Sequence, residues 1–203
     1  ELRKRGFKWS IVSNGHLYNK ERHISLLNAG IGALTISLDG LKESHNWLRN
    51  NSHSFEKVIN AIELASSSNR INFDIVTCVN QKNFNELEQI RELLISKNVK
   101  AWRLFTIIPI GRAAHNSDLS LTDKQFVELM DFITKHRKSK EIDIKFSCEG
   151  YVGKYEPHVR DSYFFCRAGI NIGSILIDGS ISACPNIDRS FIQGNICTDN
   201  FYE

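Results

Sequence analysis

The alternation of short strands with helical segments constrains the fold of this chain more than any other feature. Four segments alternate apolar and polar residues with the two-residue period of a half-buried strand, and a fifth, 101–110, is strongly apolar. Between them lie segments whose apolar residues recur at intervals of three and four, as on one face of a helix. This order, with short connections, is typical of βαβ units and a parallel sheet. The predicted strands are 7–15, 33–40, 71–80, 101–110 and 142–147, and the predicted helices are 20–30, 55–65, 85–98 and one that Thr122 opens.

Local signals refine the helices. Ile24 and Leu27 lie at helical spacing and are predicted to face the core from the first helix. The pairs Asn85 with Glu88 and Thr122 with Gln125 match the capping box, in which two side chains satisfy the first free N–H groups of a helix. The stretch between the second strand and residue 55 is rich in polar residues and is predicted to be a loop.

The second face of the predicted strands is polar, with Ser, Thr, Asn and Asp opposite the apolar residues. Parallel strands that are covered on both faces are usually apolar throughout. The pattern therefore predicts an α/β fold in which a curved, open β/α barrel has a wet lumen that holds a polar ligand, although these side chains could also satisfy one another or bind water. Ser37 and Asp39 end the second strand, where such sheets place their ligands. Asp74 faces the same lumen, but hydrogen bonding within the sheet explains it more simply.

A hairpin is predicted near the carboxyl end. Asp178-Gly179 lies between two alternating segments, and Gly permits the positive φ of a tight hairpin turn. Twelve residues separate Cys166 from Gly179, and four separate Gly179 from Cys184. The hairpin would carry Cys184 back towards Cys166, so that two thiolates converge as metal ligands. Two buried free cysteines in a small β element are the alternative.

Composition limits the class of protein. The chain has 203 residues, 41% of them hydrophobic and 24% charged, which is ordinary for a globular protein. A net charge of +3 without a block of Lys and Arg gives no indication of nucleic-acid binding. No apolar run is long enough to span a bilayer. Five cysteines, an odd number without a secretory signal, favour a reducing cytoplasm. The chain begins without Met, and both ends are expected to be cuts through a longer protein.

Several motifs together resemble one enzyme family. Ser13-Asn14-Gly15 resembles a Thr-Asn-Gly strand end, and Ser37-Leu38-Asp39-Gly40 resembles a Ser-Leu-Asp-Gly strand end. Pro109 to Ala113 resembles the end of a later strand, and the Cys166 to Cys184 spacing resembles the opening of an auxiliary-cluster domain. By the order and spacing of these motifs, the chain resembles a radical S-adenosylmethionine (radical SAM) enzyme with a SPASM or twitch auxiliary domain.

The resemblance implies a partial radical SAM barrel over residues 1–147 and the start of an auxiliary-cluster domain over 148–203. It implies a [4Fe-4S] cluster and S-adenosylmethionine as cofactors. The implied reaction is reductive cleavage of S-adenosylmethionine to a 5′-deoxyadenosyl radical, used by an oxidoreductase to modify a peptide or protein. An electron donor such as a flavodoxin or ferredoxin is the implied partner. The C-x3-C-x2-C and Gly-Gly-Glu motifs of the family do not occur in this sequence and are expected upstream of Glu1, and further auxiliary cysteines are expected beyond Glu203.

The resemblance also assigns residues. It places Cys166 and Cys184 as metal ligands, while Cys148 and Cys197 have no assigned role. Cys78 is interpreted as a small strand residue, the seven histidines as loop and surface residues, and Arg112 as either an anion contact or a solvated side chain. No catalytic residue is assigned. The residues placed at the cofactor are Ser37, Asp39, Asn14 and the backbone of Ile108.

Two other functions remain open. An iron-free hydrolase or lyase on a TIM-barrel-like fold would need carboxylates at strand ends, and only Asp39 and Glu149 are available. A non-catalytic barrel that binds a peptide or partner would explain the missing cysteine motif equally well.

Overall fold

The computed structural model of this chain describes residues 1–147 and 149–200, except the side chain of Arg112. It divides into two compact units, Glu1–Tyr163 and Phe164–Glu203. The division falls after Tyr163, whereas the sequence analysis placed it after residue 147. Residues up to Tyr163 belong with the first unit because the short helix Glu156–Val159 packs against the helix Asp123–His136 and the strand Asp143–Phe146.

The first unit contains a five-stranded parallel sheet. Neighbouring strands follow chain order, and Ile36 pairs with Ile75 at the centre of the register. Successive parallel strands need crossover connections of one hand, and these place the helices on one face of the sheet. The predicted α/β open-barrel architecture is confirmed. The strands are β1 (Ser10–Ser13), β2 (Ala33–Ser37), β3 (Asn72–Val79), β4 (Ala101–Thr106) and β5 (Asp143–Phe146).

Helices connect these strands and cover their apolar face. Thr122 and Gln125 form the predicted capping box, with each side chain bonded to the backbone N–H of the other residue. The α-helices are α1 (Lys20–Ala29), α2 (Lys42–Arg49), α3 (Ser54–Ser66), α4 (Leu87–Ser96), α5 (Asp123–His136) and α6 (Glu156–Val159). Short 3₁₀ turns occupy Phe84–Glu86, Gly111–His115, Ser117–Leu119, Gly153–Tyr155 and Arg189–Phe191.

The core lies between the sheet and these helices. Ile36 and Leu104 from the strands and Ile62 from α3 are fully buried. Burying such a side chain contributes about 1.5–3 kcal/mol each. Trp102 is also fully buried, and its indole N–H donates to Thr77 Oγ1 at 2.8 Å, so the ring leaves no unpaired donor in the core.

The opposite face of the sheet is polar, as predicted. Thr35 Oγ1 donates to Asp74 Oδ1, Arg103 Nε donates to Asp74 Oδ2, and Arg103 Nη2 donates to Thr35 Oγ1 at 3.0 Å. This network crosses β2, β3 and β4, and it supports the interpretation of Asp74 as a residue that bonds within the sheet.

Three local predictions were wrong. Residues 42–49 form α2 rather than a loop. The helix was not predicted because its fully buried side chain is His45, so the sequence shows no hydrophobic pattern there. The capping box at Asn85 is absent, since α4 begins at Leu87 after a 3₁₀ turn and has no side-chain cap. Ile24 is 46% exposed, and α1 buries His23 instead.

The second unit contains the predicted hairpin. Its strands β6 (Ser174–Ile175) and β7 (Ser180–Ser182) are antiparallel, and β8 (Gly194–Asn195) pairs with β7. Gly179 has a φ of +82°, and Asn195 Nδ2 donates to the carbonyl of Asp178 at 2.9 Å. A Cβ on Gly179 would lie 2.7 Å from Asn195 Oδ1. Asn195 of β8 therefore packs against the Asp178-Gly179 turn and stabilises it by a hydrogen bond.

None of the helices in the described part of the chain has the length and hydrophobicity that a membrane span requires.

Candidate functional site

The predicted cofactor residues lie at one edge of the parallel sheet. Asn14 follows β1, Ser37 ends β2, and Ile108 lies two residues after β4. Because the carboxyl ends of parallel strands meet at one edge, the fold brings the predicted residues to the same side of the molecule. Asn14 and Ile108 are exposed and Ser37 is half-buried, so a ligand can reach all three.

Asp39 lies at this edge but is only 1% exposed. Its Oδ1 accepts the backbone N–H of Cys78 at 2.9 Å, and its Oδ2 accepts a hydrogen bond from Arg49. The carbonyl of Asp39 accepts from Asn83 Nδ2 at 2.9 Å. These contacts join β2 to β3 at the edge and engage both oxygens of the carboxylate. Both carboxylate oxygens of Asp39 are therefore engaged within the protein, and its assignment to the cofactor stays a prediction.

His45 is part of the same network, contrary to the prediction that the histidines lie on the surface. The backbone N–H of Asp39 donates to His45 Nδ1 at 3.0 Å, and His45 Nε2 lies 3.1 Å from Ser54 Oγ. Burial lowers the pKa of His45 to about 4, with the charge of Asp39 opposing the shift. The ring is therefore neutral, and since Nδ1 accepts, its proton lies on Nε2 and is donated to Ser54.

Gly40 closes the motif that begins at Ser37. Its φ is +141°, and a Cβ there would lie 2.7 Å from Ser44 Cβ and 2.9 Å from Glu86 Oε2. Glu86 accepts from the backbone N–H of Leu41 at 2.8 Å and from Ser44 Oγ at 2.6 Å. The start of α2 is thus held by a carboxylate against the 3₁₀ turn that precedes α4, and only Gly fits between them.

Arg49 is a candidate site residue that the sequence analysis missed. Its guanidinium pairs with Asp39 through Nη2, and its side chain is 30% exposed. Its Nε is buried and has no hydrogen-bond partner among the described residues. A buried N–H without an acceptor is costly, so this position suits the oxygen of an anionic ligand group. Recognising Arg49 required α2, which the sequence pattern did not reveal.

Two ionisable groups complete the edge. Burial raises the pKa of the Cys78 thiol to about 12, and the charge of Asp39 adds to this effect, so Cys78 is a neutral thiol. Burial also raises the pKa of Glu149, opposed by hydrogen bonds from Thr106. The Thr106 N–H and hydroxyl both donate to Glu149 Oε2, at 2.8 and 2.7 Å.

The predicted metal ligands lie in the second unit. Cys166 is an exposed free thiol and Cys184 is a half-buried one. A Cβ built on Gly169 lies 3.5 Å from Ala183 Cβ, so the chain just after Cys166 passes the residue before Cys184. Cys197 is exposed, and Cys148 and the Arg112 side chain lie outside the described residues. Within residues 1–147 and 149–200, no three His, Cys, Asp or Glu side chains are grouped as a metal site.

The fold and this edge define an open parallel β/α barrel with a polar rim. The family model described as the Radical SAM superfamily matches residues 1–94, just under half of this chain, and this part of the chain resembles that superfamily. The recognition made from the motifs is thereby confirmed for the barrel. Radical SAM proteins use a [4Fe-4S] cluster and S-adenosylmethionine.

Individual relatives match along more of the chain. It is 26% identical over 144 residues to an AdoMet-dependent heme synthase of Oleidesulfovibrio alaskensis, covering 70% of this chain and 37% of that protein. It is 23% identical over 191 residues to the sporulation killing factor maturation protein SkfB of Bacillus subtilis, covering 94% of this chain and 44% of that protein. The chain therefore spans less than half the length of these curated relatives.

A solved structure resembles nearly the whole chain. Native anSMEcpe with bound AdoMet and Cp18Cys peptide superposes with a TM-score of 0.69 at 20% identity, covering 97% of this chain and 58% of that one. At this identity, the likeness shows the fold alone.

The residues present fit S-adenosylmethionine better than they fit a radical [4Fe-4S] cluster. The unpartnered Nε of Arg49 and the accessible Ser37 and Asn14 suit the polar groups of S-adenosylmethionine. The cysteines at 78, 148, 166, 184 and 197 contain no C-x3-C-x2-C spacing, so this chain does not supply the ligands of a radical cluster. The assignments of Asn14, Ser37, Asp39, Ile108, Cys166 and Cys184 stay predictions.

Proposed function

We propose that this chain is the barrel and first auxiliary segment of a radical SAM enzyme that modifies a peptide or protein. The observation that carries the proposal is the cysteine-framed hairpin that follows an open parallel barrel. A barrel that only bound a ligand would have no need of thiols on a second unit. The SkfB relative is named for maturation of a killing factor, and the anSMEcpe structure contains a peptide, which supports a peptide substrate here.

In this proposal, the edge of the barrel holds S-adenosylmethionine. Ser37, Asn14 and the backbone near Ile108 bind its polar groups, and Arg49 binds a carboxylate through Nε. The cofactors, when bound, supply the reductive cleavage that yields a 5′-deoxyadenosyl radical. The protein positions the substrate and excludes water. Cys166 and Cys184 are proposed as two ligands of an auxiliary cluster, which needs four ligands in total.

The test uses the longest natural form of the protein, purified without oxygen. Iron and acid-labile sulfide are counted, and 5′-deoxyadenosine is measured after adding reductant and S-adenosylmethionine. We expect at least two [4Fe-4S] clusters, nucleoside formation, and loss of about one cluster's iron in Cys166→Ala and Cys184→Ala. Cys197→Ala is the matched control and keeps its iron. A protein that binds no iron after reconstitution would be the non-catalytic module instead.

A tetrapyrrole substrate is a second candidate, favoured by the similarity to a protein named as a heme synthase. Titration with iron coproporphyrin, followed by the Soret band, separates the two substrates. Saturable binding at micromolar concentration would favour the tetrapyrrole. The flavodoxin or ferredoxin donor and the cytoplasmic location stay predictions.

A further inference from the structure

Glu149 is anchored at only one of its two carboxylate oxygens. Both hydrogen bonds from Thr106 go to Oε2. Thr106 is the last residue of β4, so the carboxylate lies at the carboxyl edge of the sheet, where the candidate site is. Oε1 has no hydrogen-bond partner among the described residues, and it is not one of the buried unpartnered atoms. It therefore faces accessible space.

A structural role explains Oε2 but leaves Oε1 unexplained. The backbone N–H of Ser147 donates to the carbonyl of Leu104 at 2.9 Å, which continues the pairing of β5 with β4 by one residue. The next donor on β4 is Thr106 N–H, and the Glu149 side chain takes the place of a backbone acceptor there. A neutral amide oxygen would do this equally well. The Thr106 contacts use one oxygen of Glu149 and do not require its negative charge.

Among the described residues, no Lys, Arg or His side chain pairs with the carboxylate of Glu149, and its hydrogen bonds are those from Thr106. The positive charge of Arg49 is matched by Asp39. Burial raises the pKa of Glu149, and the Thr106 hydrogen bonds and the charge of Arg160 oppose that shift; Arg160 itself donates to the buried carboxylate of Glu156 at 2.7 Å. The field of Glu149 also reaches Cys78, whose pKa it raises. The carboxylate of Glu149 therefore has hydrogen bonds but no ion-pair partner among the described residues, and a half-buried charge is costly unless a ligand supplies that partner.

We infer that Glu149 is a subsite for a positively charged hydrogen-bond donor of the substrate, either a protonated amine or a guanidinium. The inference rests on the proposed function, because it requires that a substrate enters at this edge. It deepens that function by favouring a peptide with a basic side chain, which the free Oε1 can bind through a charge-assisted hydrogen bond. Tetrapyrrole propionates would be repelled by the same carboxylate.

The test measures small probes on the longest natural form of the protein at low salt. Binding of n-butylguanidinium and of its neutral isostere n-butylurea is followed by ligand-observed NMR. Glu149→Gln keeps an oxygen for Thr106 and removes the charge. Glu92→Gln, an exposed glutamate on α4, is the matched control. We expect Glu149→Gln to weaken guanidinium binding about tenfold or more, with no change in the control or in urea binding.

Equal affinity of the wild-type protein for the guanidinium and the urea would overturn the inference, whether or not the variant folds. Undiminished guanidinium binding by a folded Glu149→Gln protein would overturn it as well. S-adenosylmethionine binding is measured by equilibrium dialysis on the same samples. If Glu149→Gln weakens S-adenosylmethionine binding as much as it weakens guanidinium binding, Glu149 contacts the cofactor and its assignment to the substrate is wrong. Absence of iron and of 5′-deoxyadenosine would refute the proposed function while leaving the cation preference measurable.

Discussion

Replacing Asp39 with Ala is expected to destabilise the barrel more than any surface change. The side chain is 1% exposed, and it accepts both the Cys78 N–H and a guanidinium hydrogen bond from Arg49. Removing one partner of a buried ion pair costs about 3–5 kcal/mol, and leaving a buried N–H unpaired costs about 1–3 kcal/mol. Arg49 retains some access to water, so we expect a total near the lower end, about 3 kcal/mol.

Urea unfolding followed by far-UV circular dichroism measures this loss. Asp39→Asn keeps an acceptor for Cys78 and should lose about 1–2 kcal/mol, roughly the charged part of the interaction. The double variant Asp39→Ala with Arg49→Met should lose less than the sum of the single variants, because no charge is left without a partner. Glu56→Ala breaks the exposed pair with Lys42 and should leave the midpoint unchanged. A loss below about 0.5 kcal/mol in Asp39→Ala would refute the reasoning.

Three further predictions concern the same region and the thiols. The folded-state pKa of His45, about 4, lies below its unfolded value of 6.5, so the unfolded state binds the extra proton. Stability should therefore fall by about 3 kcal/mol as the pH drops from 6.5 to 4, and His45→Asn should flatten that part of the unfolding curve. Gly40→Ala should cost at least about 2 kcal/mol, measured by urea unfolding, because of its positive φ and close neighbours; an unchanged midpoint would contradict the clash. Iodoacetamide at pH 8 should label Cys166 and Cys197 in metal-free protein well before Cys78, as mass spectrometry can show, and equal rates would contradict the raised pKa.

Periodicity predicted most of the sheet. Trp9 and Ile11 pack towards the core, and β3 buries Ile75, Thr77 and Val79 from the face that alternation assigned to the core. The alternation is visible because each strand has one face on the helices and one on the lumen. Boundaries were less well predicted, since β2 ends at Ser37 and the polar residues after it belong to the site.

The candidate site was predicted only in part. Asn14, Ser37 and Asp39 were proposed because they stand at strand ends in a recognisable order, and their assignment to the cofactor stays a prediction. Arg49 was missed because it lies on α2, a helix whose buried residue is a neutral histidine with both nitrogens hydrogen-bonded. Hydrophobic pattern cannot detect such a helix. Glu149 was noted as an available carboxylate, but nothing in the sequence shows that Thr106 occupies one of its oxygens.

The sequence alone determined the order of strands and helices, the Asp178-Gly179 hairpin and the likeness to radical SAM enzymes. These follow from local periodicity, turn chemistry and motif order, which involve residues close together in the chain. Only the tertiary structure decided which charges meet at the carboxyl edge. Asp39 reaches Cys78 across 39 positions of sequence and Glu149 reaches Thr106 across 43. Such pairings depend on the register of neighbouring parallel strands and on burial, and both exist only once the sheet has formed.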